Sequence, residues 1–123
     1  MIVNQGDIYW VPRKEPNESE SGYIHPHVVI QDNVINRSQI DTVMLCALTT
    51  NLKCSNLPGN VLLDLGEANL PRQSIVVVSQ VSTVEKSQLG EYIGSLAEQR
   101  IKQILAGMQF VQRLLQRGET GKA

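Results

Sequence analysis

Apolar residues in the first half of the chain fall into short runs that are separated by polar residues and turn formers. Residues 8–11 form one run that ends at Pro12, and residues 25–31 contain Val-Val-Ile after Pro26. Residues 42–49 are nearly all apolar, which is typical of a strand covered on both faces. These three runs predict three β-strands, with Pro26 tolerated at a strand start or edge.

Two further runs, residues 60–64 and residues 74–81, predict a fourth and a fifth strand, joined by a connection that contains Pro71. The pattern then changes. Residues 88–94 are compatible with one helical turn, and residues 97–116 repeat apolar positions at helical spacing. That stripe consists of Ile101, Ile104, Leu105, Met108, Val111 and Leu115. The polar residues 117–123 are predicted to fray.

About five short strands followed by one helix predict a mainly β protein with a C-terminal α-helix, folded as a small antiparallel barrel or curled sheet. The 123 residues show no repeat or linker, so we expect a single domain over residues 1–123. Residues 13–24 form a polar loop between the first two strands. A loop of that length is often functional.

Composition narrows the possible functions. The formal net charge is −1, whereas a general polyanion binder carries a strong basic excess, so any nucleic-acid site must be local. No apolar run reaches membrane-spanning length, and the N-terminus is unlike a signal peptide. The cysteines, Cys46 and Cys54, are expected to be reduced thiols. We therefore expect a cytoplasmic protein with no membrane role.

No metal site is expected. His25 and His27 alternate along a predicted strand and face the same side, but zinc would require two more ligands. Neither Cys46 nor Cys54 has ligand-like spacing. The sequence also has no glycine-rich phosphate loop, nucleophile elbow or paired-carboxylate motif.

A series of segments, each weak alone, is specific in its order and spacing. The segments are Gly6-Asp7-Ile8-Tyr9-Trp10-Val11, Gly22, His25-Pro26-His27-Val28-Val29-Ile30-Gln31, Asn36, Leu48-Thr49-Thr50-Asn51, Pro71-Arg72-Gln73-Ser74 and Gln80. Together they resemble the MazF/PemK/Kid family, from Gly6 through the terminal helix.

The resemblance implies a small SH3-like β-barrel with a C-terminal helix, which forms a homodimer with an RNA groove at its interface. It implies the toxin of a type II toxin–antitoxin pair, with a cognate antitoxin as partner. Such a toxin is a sequence-specific endoribonuclease that cuts single-stranded RNA, including mRNA, with no metal or other cofactor. The ribose 2′-hydroxyl attacks, leaving a cyclic phosphate and a 5′-hydroxyl end.

The resemblance also places two catalytic residues. His25 occupies the position where the family usually carries an arginine, and Thr49 matches the family's threonine. An imidazole titrates near pH ~6.5, so our hypothesis makes His25 the acid–base group. Thr49 would donate a hydrogen bond to the phosphate. The alternatives are a solvated His25 and a Thr49 that only satisfies backbone groups at a strand end.

Further polar residues are candidates for RNA binding. Amides can read exposed base edges in unpaired RNA, and hydroxyls or arginine can hold a phosphate. For each, the alternative is an ordinary solvated side chain or a turn residue. The candidates are Gln31, Asn33, Thr50, Asn51, Arg72, Ser74 and Gln80.

Two other functions remain open at the level of sequence. One is a catalytically impaired relative that binds RNA or a partner protein. The other is a toxin on the same fold that targets a topoisomerase. Cleavage of RNA in EDTA would separate the nuclease from the impaired relative, and DNA damage on expression, instead of loss of intact mRNA, would favour the topoisomerase-targeting toxin.

Overall fold

The structure, a computed structural model, describes residues 1–12 and 24–121, with side chains as far as residue 114. This part of the chain contains six strands and two α-helices. The elements are β1 Asp7–Pro12, β2 Ile24–Val29, α1 Asn33–Asn36, β3 Thr42–Thr49, β4 Val61–Leu62, β5 Ile75–Glu85, β6 Tyr92–Ser95 and α2 Glu98–Gly121. Short 3₁₀ helices span Leu52–Asn56, Glu67–Asn69 and Lys86–Gln88.

The strands form one antiparallel sheet in the order β4-β5-β3-β2-β1-β6. Its longest pairing joins β3 to β5 and contains a register shift. Cys46 lies opposite Val81, whereas Leu48 lies opposite Val76, so β5 carries extra residues at this point. A bulge of this kind bends the longer strand and helps the sheet to curl. The predicted fold, a mainly β curled antiparallel sheet with a C-terminal helix, is confirmed.

Apolar residues are buried on both faces of the sheet, because neighbouring residues of a strand point to opposite sides. Ile8 and Val28 belong to the larger core, which also contains Ile104 of α2. Tyr9 and Val29 belong to a second cluster, completed by Leu89. β3 contributes residues to both clusters, which explains its nearly continuous apolar sequence.

Helix α2 rests on the sheet through one apolar stripe. Ile104 is fully buried, and Met108 and Val111 are partly buried against the same core. One turn of the helix touches the loop before β4 so closely that a Cβ at Gly107 would lie 2.1 Å from the carbonyl oxygen of Gly59. The two glycines allow main chain to pack against main chain. None of the described helices is long and apolar enough to cross a membrane.

The prediction of one helical turn over residues 88–94 is wrong. The turn lies earlier, at Lys86–Gln88, and the chain then forms β6, which pairs with β1. A strand this short has little pattern of its own. It forms because its backbone groups pair with a distant strand, and Gly94 leaves room for the carbonyl oxygen of Ala68.

Other element boundaries also differ from the predictions. β5 continues to Glu85, while β4 is limited to Val61–Leu62. α2 begins at Glu98 and ends at Gly121, so residues 117–121 are helical where fraying was predicted. Backbone hydrogen bonds extend a helix one residue at a time without needing an apolar side chain. Ile24, the last residue of the predicted loop 13–24, pairs in β2 with Pro12; residues 13–23 lie outside the described residues.

Candidate active site

The first residues of β2 and the last residues of β3 meet at one end of the sheet. His27 pairs with Ala47 and Val28 with Cys46. The same antiparallel register, extended by two residues beyond the His27–Ala47 pair, would bring His25 level with Thr49. These two residues line a pocket of about 270 Å³, together with Pro26, Leu48, Thr50, Asn51 and Ser74. The tertiary structure thus brings five of the nine predicted site residues together.

Three strands contribute to this pocket. Thr49 pairs with Ile75, so Ser74, the residue before β5, adjoins the end of β3. Ser74 is 2% exposed, and its hydroxyl donates to the carbonyl oxygen of Arg72 at 2.9 Å. Thr50 is exposed at the mouth. The pocket therefore has hydroxyl groups on one side and an imidazole-bearing strand on the other.

The turn after β3 orients Thr49. The backbone N–H of Asn51 donates to Thr49 Oγ1 at 3.2 Å. The side chain of Asn51 accepts from the N–H of Lys53 at 3.2 Å and caps the 3₁₀ helix Leu52–Asn56. A threonine hydroxyl carries one hydrogen and can also accept. Because Thr49 Oγ1 accepts from the turn, its hydrogen is directed elsewhere and can be donated to a ligand.

A second local hydrogen bond lies on the β2 side of the pocket. The ring nitrogen Nδ1 of His27 lies 3.0 Å from the carbonyl oxygen of His25. A carbonyl oxygen only accepts, so Nδ1 carries the hydrogen in this bond. His27 is 6% exposed, so its side chain is packed on the face of the strand. His25 is partly buried.

Two of the predicted RNA-binding amides lie elsewhere. Gln31 and His25 are separated by six residues of nearly extended chain, about 20 Å. The Gln31 side chain donates to Asn36 Oδ1 at 2.8 Å and to the carbonyl of Thr42 at 3.2 Å. Asn33 Oδ1 accepts from the backbone N–H of Gln5 at 2.8 Å. These hydrogen bonds connect helix α1 to the N-terminal segment and the segment that follows β2 to the start of β3.

Arg72 and Gln80 lie beside the pocket and not in it. Arg72 is exposed, two residues before Ser74. Gln80 lines a separate groove of about 910 Å³ between β5 and the ends of β1 and β2. Trp10 also lines this groove. In the sequence, the signal for a role of Trp10 in a groove was its position close to the long polar loop 13–24.

Within residues 1–12 and 24–121, no group of three or more His, Cys, Asp or Glu side chains is arranged to hold a metal ion. Cys46 and Cys54 are both free thiols. Cys46 is fully buried and donates through Sγ to the carbonyl oxygen of Val77 at 2.9 Å. Burial raises the pKa of the Cys46 thiol to about 12, although a backbone hydrogen bond at Ala47 opposes the rise. Cys46 is therefore a neutral core residue at physiological pH.

Comparison with known proteins gives consistent results. The model of the family described as "PemK-like, MazF-like toxin of type II toxin-antitoxin system" matches residues 4–111. The relative named endoribonuclease MazF6 from Mycobacterium tuberculosis is 30% identical over 111 residues, covering 90% of this chain and 97% of the relative.

Solved structures share the fold. A MazE–MazF crystal structure from Deinococcus radiodurans matches 91% of this chain and 96% of its own, with TM-score 0.71 and 16% identity. An endoribonuclease from mycobacterial species, solved in complex with its cognate antitoxin, has TM-score 0.63 and 20% identity; the match covers 87% of this chain and 89% of that one. Since the family model spans nearly the whole chain, this protein belongs to the PemK-like, MazF-like toxins of type II toxin–antitoxin systems.

Proposed function

We propose that this protein is a toxin endoribonuclease that cuts single-stranded RNA in the pocket formed by His25 and Thr49. The observation that carries the proposal is the meeting of two strand ends, distant in sequence, at one pocket of about 270 Å³. Membership of the toxin family supports it. The relative covered over 97% of its length is itself named an endoribonuclease, which also supports it.

The proposed reaction is a transphosphorylation within the RNA strand. His25 accepts the proton of the ribose 2′-hydroxyl as its oxygen attacks the neighbouring phosphorus. The bond from phosphorus to the 5′-oxygen of the next nucleotide breaks, and that oxygen gains a proton. One proton is removed and one is returned, so a single imidazole can end the cycle in its starting state. The products carry a 2′,3′-cyclic phosphate and a 5′-hydroxyl.

Thr49 supplies the hydrogen bond that the phosphorane requires. Its Oγ1 is held as an acceptor by the Asn51 N–H, so the hydroxyl hydrogen can be donated to a non-bridging phosphate oxygen. Thr50, exposed at the mouth, can contact the same phosphate. The Ser74 hydroxyl is buried and donates to the carbonyl oxygen of Arg72, so Ser74 supports the pocket wall beside Thr49. Arg72, two residues before Ser74, supplies a positive charge at the margin.

The flanking nucleotides of the substrate enter the groove lined by Gln80 and Trp10. An amide can read a base edge, and an indole ring can stack on an unpaired base. The net charge of −1 fits binding through such local contacts more than through a broad basic surface. Single-stranded RNA meets these requirements because its bases are accessible. Gln31 and Asn33 have no part in this path.

We also propose that the functional protein binds a cognate antitoxin, forms a dimer with a second copy of the chain and is located in the cytoplasm. Met44 and Val81 lie on the adjacent strands β3 and β5 and stay 41% and 42% exposed. A second copy that covered them would bury apolar surface that a monomer leaves in water. Light scattering after gel filtration tests this, and a monomer at micromolar concentration would contradict it.

The test of the activity is cleavage of a single-stranded RNA pool in EDTA, with mapping of both product ends. The wild type should give cyclic phosphate and 5′-hydroxyl ends, and an all-deoxy strand should stay intact because it lacks the nucleophile. RNA bound without products would instead indicate an impaired relative.

The variants His25→Ala and Thr49→Ala test the assignment of the pocket. Loss of an acid–base group lowers the rate by about 10²–10⁴-fold, and loss of an oxyanion donor by about 10²–10³-fold. Lys102→Ala, a variant at an exposed position on α2, is the control and should cleave normally. Near-normal cleavage by His25→Ala, with its fold retained, would refute the role of His25.

A further inference from the structure

We infer that Asn51 and His27 are positioning residues. Each forms a hydrogen bond with the residue two places earlier, so Asn51 holds Thr49 and His27 holds His25. The inference deepens the proposed nuclease function and rests on it. It replaces the expected RNA contact of Asn51 with a role in the geometry of the pocket, and it gives the buried His27 a part in presenting His25.

Asn51 acts through two linked hydrogen bonds. Its side-chain oxygen caps the 3₁₀ helix Leu52–Asn56 by accepting from the N–H of Lys53. This bond sets the turn that aims the backbone N–H of Asn51 at Thr49 Oγ1, 3.2 Å away. An asparagine at such a cap position accepts well, whereas alanine cannot. The cap therefore determines where the Thr49 hydroxyl points.

His27, opposite Ala47, is the first residue of β2 that pairs with β3. The preceding Pro26 has no N–H to donate, and His25 pairs with Val11 of β1. The carbonyl oxygen of His25 receives the bond from His27 Nδ1 at 3.0 Å. The imidazole that donates this bond is itself packed, with 6% exposure. The backbone that carries the His25 side chain is thus tied to a rigid part of the sheet.

Each bond joins a residue to the one two places earlier, and the two bonds lie on facing strand ends, which are the parts of a sheet that fray first. If either bond is lost, RNA still finds the pocket, but the imidazole and hydroxyl spend less time aligned on the phosphodiester. A displacement of about 1 Å can lower a rate by about 100-fold. Positioning variants should therefore lower kcat and leave KM nearly unchanged.

The pair Asn51→Ala and Asn51→Ser separates positioning from RNA contact. Serine also caps well, so Asn51→Ser should keep kcat within about threefold of wild type, while Asn51→Ala should lose about tenfold or more. If the amide of Asn51 contacted RNA, both variants would lose that contact and raise KM alike. A KM raised above the wild-type value by the same factor in both variants would overturn the inference for Asn51.

The matched pair for His27 is His27→Asn and His27→Leu. The asparagine amide can replace the Nδ1 hydrogen as a donor to the His25 carbonyl, while leucine fills space without donating. His27→Asn should retain more kcat than His27→Leu at equal KM, with both melting temperatures measured to confirm folding. A lower kcat for His27→Asn than for His27→Leu would overturn the role of the hydrogen bond.

Two readouts do not depend on activity, so they distinguish failure of this inference from failure of the proposed function. In NMR of the wild type, His27 should show its hydrogen on Nδ1. The amide hydrogen at position 51 should be protected from exchange in wild type and Asn51→Ser, and less protected in Asn51→Ala. An Nε2–H tautomer of His27 or equal exchange in all three proteins would overturn the geometry, whether or not RNA is cut. If the wild type cuts no RNA, the proposed nuclease function fails, and these spectra still decide whether the bonds exist.

Discussion

Replacement of Gly107 by alanine tests how α2 is seated on the sheet. In a helix interior, alanine is usually more stable than glycine by about 1 kcal/mol. Here the added Cβ would lie 2.1 Å from the Gly59 carbonyl oxygen, whereas ordinary contact begins at 3.4 Å. The difference, 3.4 − 2.1 = 1.3 Å, must be absorbed by movement of the helix or of the loop, since both groups belong to the main chain.

The expected size of the effect follows from these opposing contributions. Overpacking destabilises by about 1–3 kcal/mol, and a clash with main chain should lie at the upper end. Subtracting the helical gain of about 1 kcal/mol leaves Gly107→Ala destabilised by about 2 kcal/mol. For a domain of this size, the melting temperature should fall by roughly 6–12 °C.

Thermal unfolding followed by circular dichroism measures this change. The matched control is Ala106→Gly, at the exposed neighbouring position of the same helix. It should lose about 1 kcal/mol from helix propensity alone, with no clash involved. A melting temperature for Gly107→Ala equal to or above that of the wild type would refute the close packing of Gly107 on Gly59.

Two other groups of side chains give predictions with a defined pH dependence. Burial would raise the pKa of Glu67, but the hydrogen bonds from Arg100 at 3.0 Å, a backbone bond and the charge of Arg100 outweigh it and hold the pKa below its usual range. Glu67→Gln should therefore lower the free energy of unfolding by about 1 kcal/mol at pH 7. This difference from wild type should vanish as the pH falls from about 4 through the lower pKa of Glu67 in the folded state. A difference that persists in thermal melts at pH 2 would contradict this. With a pKa of about 12, the Cys46 thiol is ionised to a fraction of about 10⁻⁴ at pH 8. A thiol reagent should therefore modify Cys54 quickly and Cys46 only on unfolding. Fast modification of both cysteines in the folded protein would contradict this. The pKa of Cys46 is raised only in the folded state, so its contribution to the free energy of unfolding should be fully present below pH about 8.5. Between pH about 8.5 and 12, this contribution should fall by about 1.4 kcal/mol per pH unit. Cys46→Val should remove this part of the pH dependence in urea titrations.

Local patterns predicted most of the elements but not their ends. The apolar run of residues 42–49 matches β3, Thr42–Thr49, because a strand buried on both faces needs apolar residues at every position. β6 was missed because Tyr92–Ser95 forms a strand only through β1. Its Ser95 hydroxyl donates to the Asp7 carboxylate, 88 residues earlier in the chain, at 2.7 Å. No window of neighbouring residues contains that pairing.

The same limit applies to the site. Amide side chains look alike in sequence, yet Asn51 caps the turn beside the pocket while Gln31 and Asn33 secure a corner at the opposite end of β2. The resemblance to a family indicated the pair His25 and Thr49. Their placement in one pocket depends on the β2–β3 register, which is set by long-range pairing.

By itself, the sequence determined five of the six strands and the long C-terminal helix, and which residue types are available for RNA chemistry. These properties follow from the alternation of apolar and polar side chains over a few residues. Tertiary structure decided which of those residues meet, since register, the bulge in β5 and the contact of Gly107 with Gly59 depend on segments far apart in the chain. Hydrogen bonds and close packing between such segments act through space, so they leave no local signature.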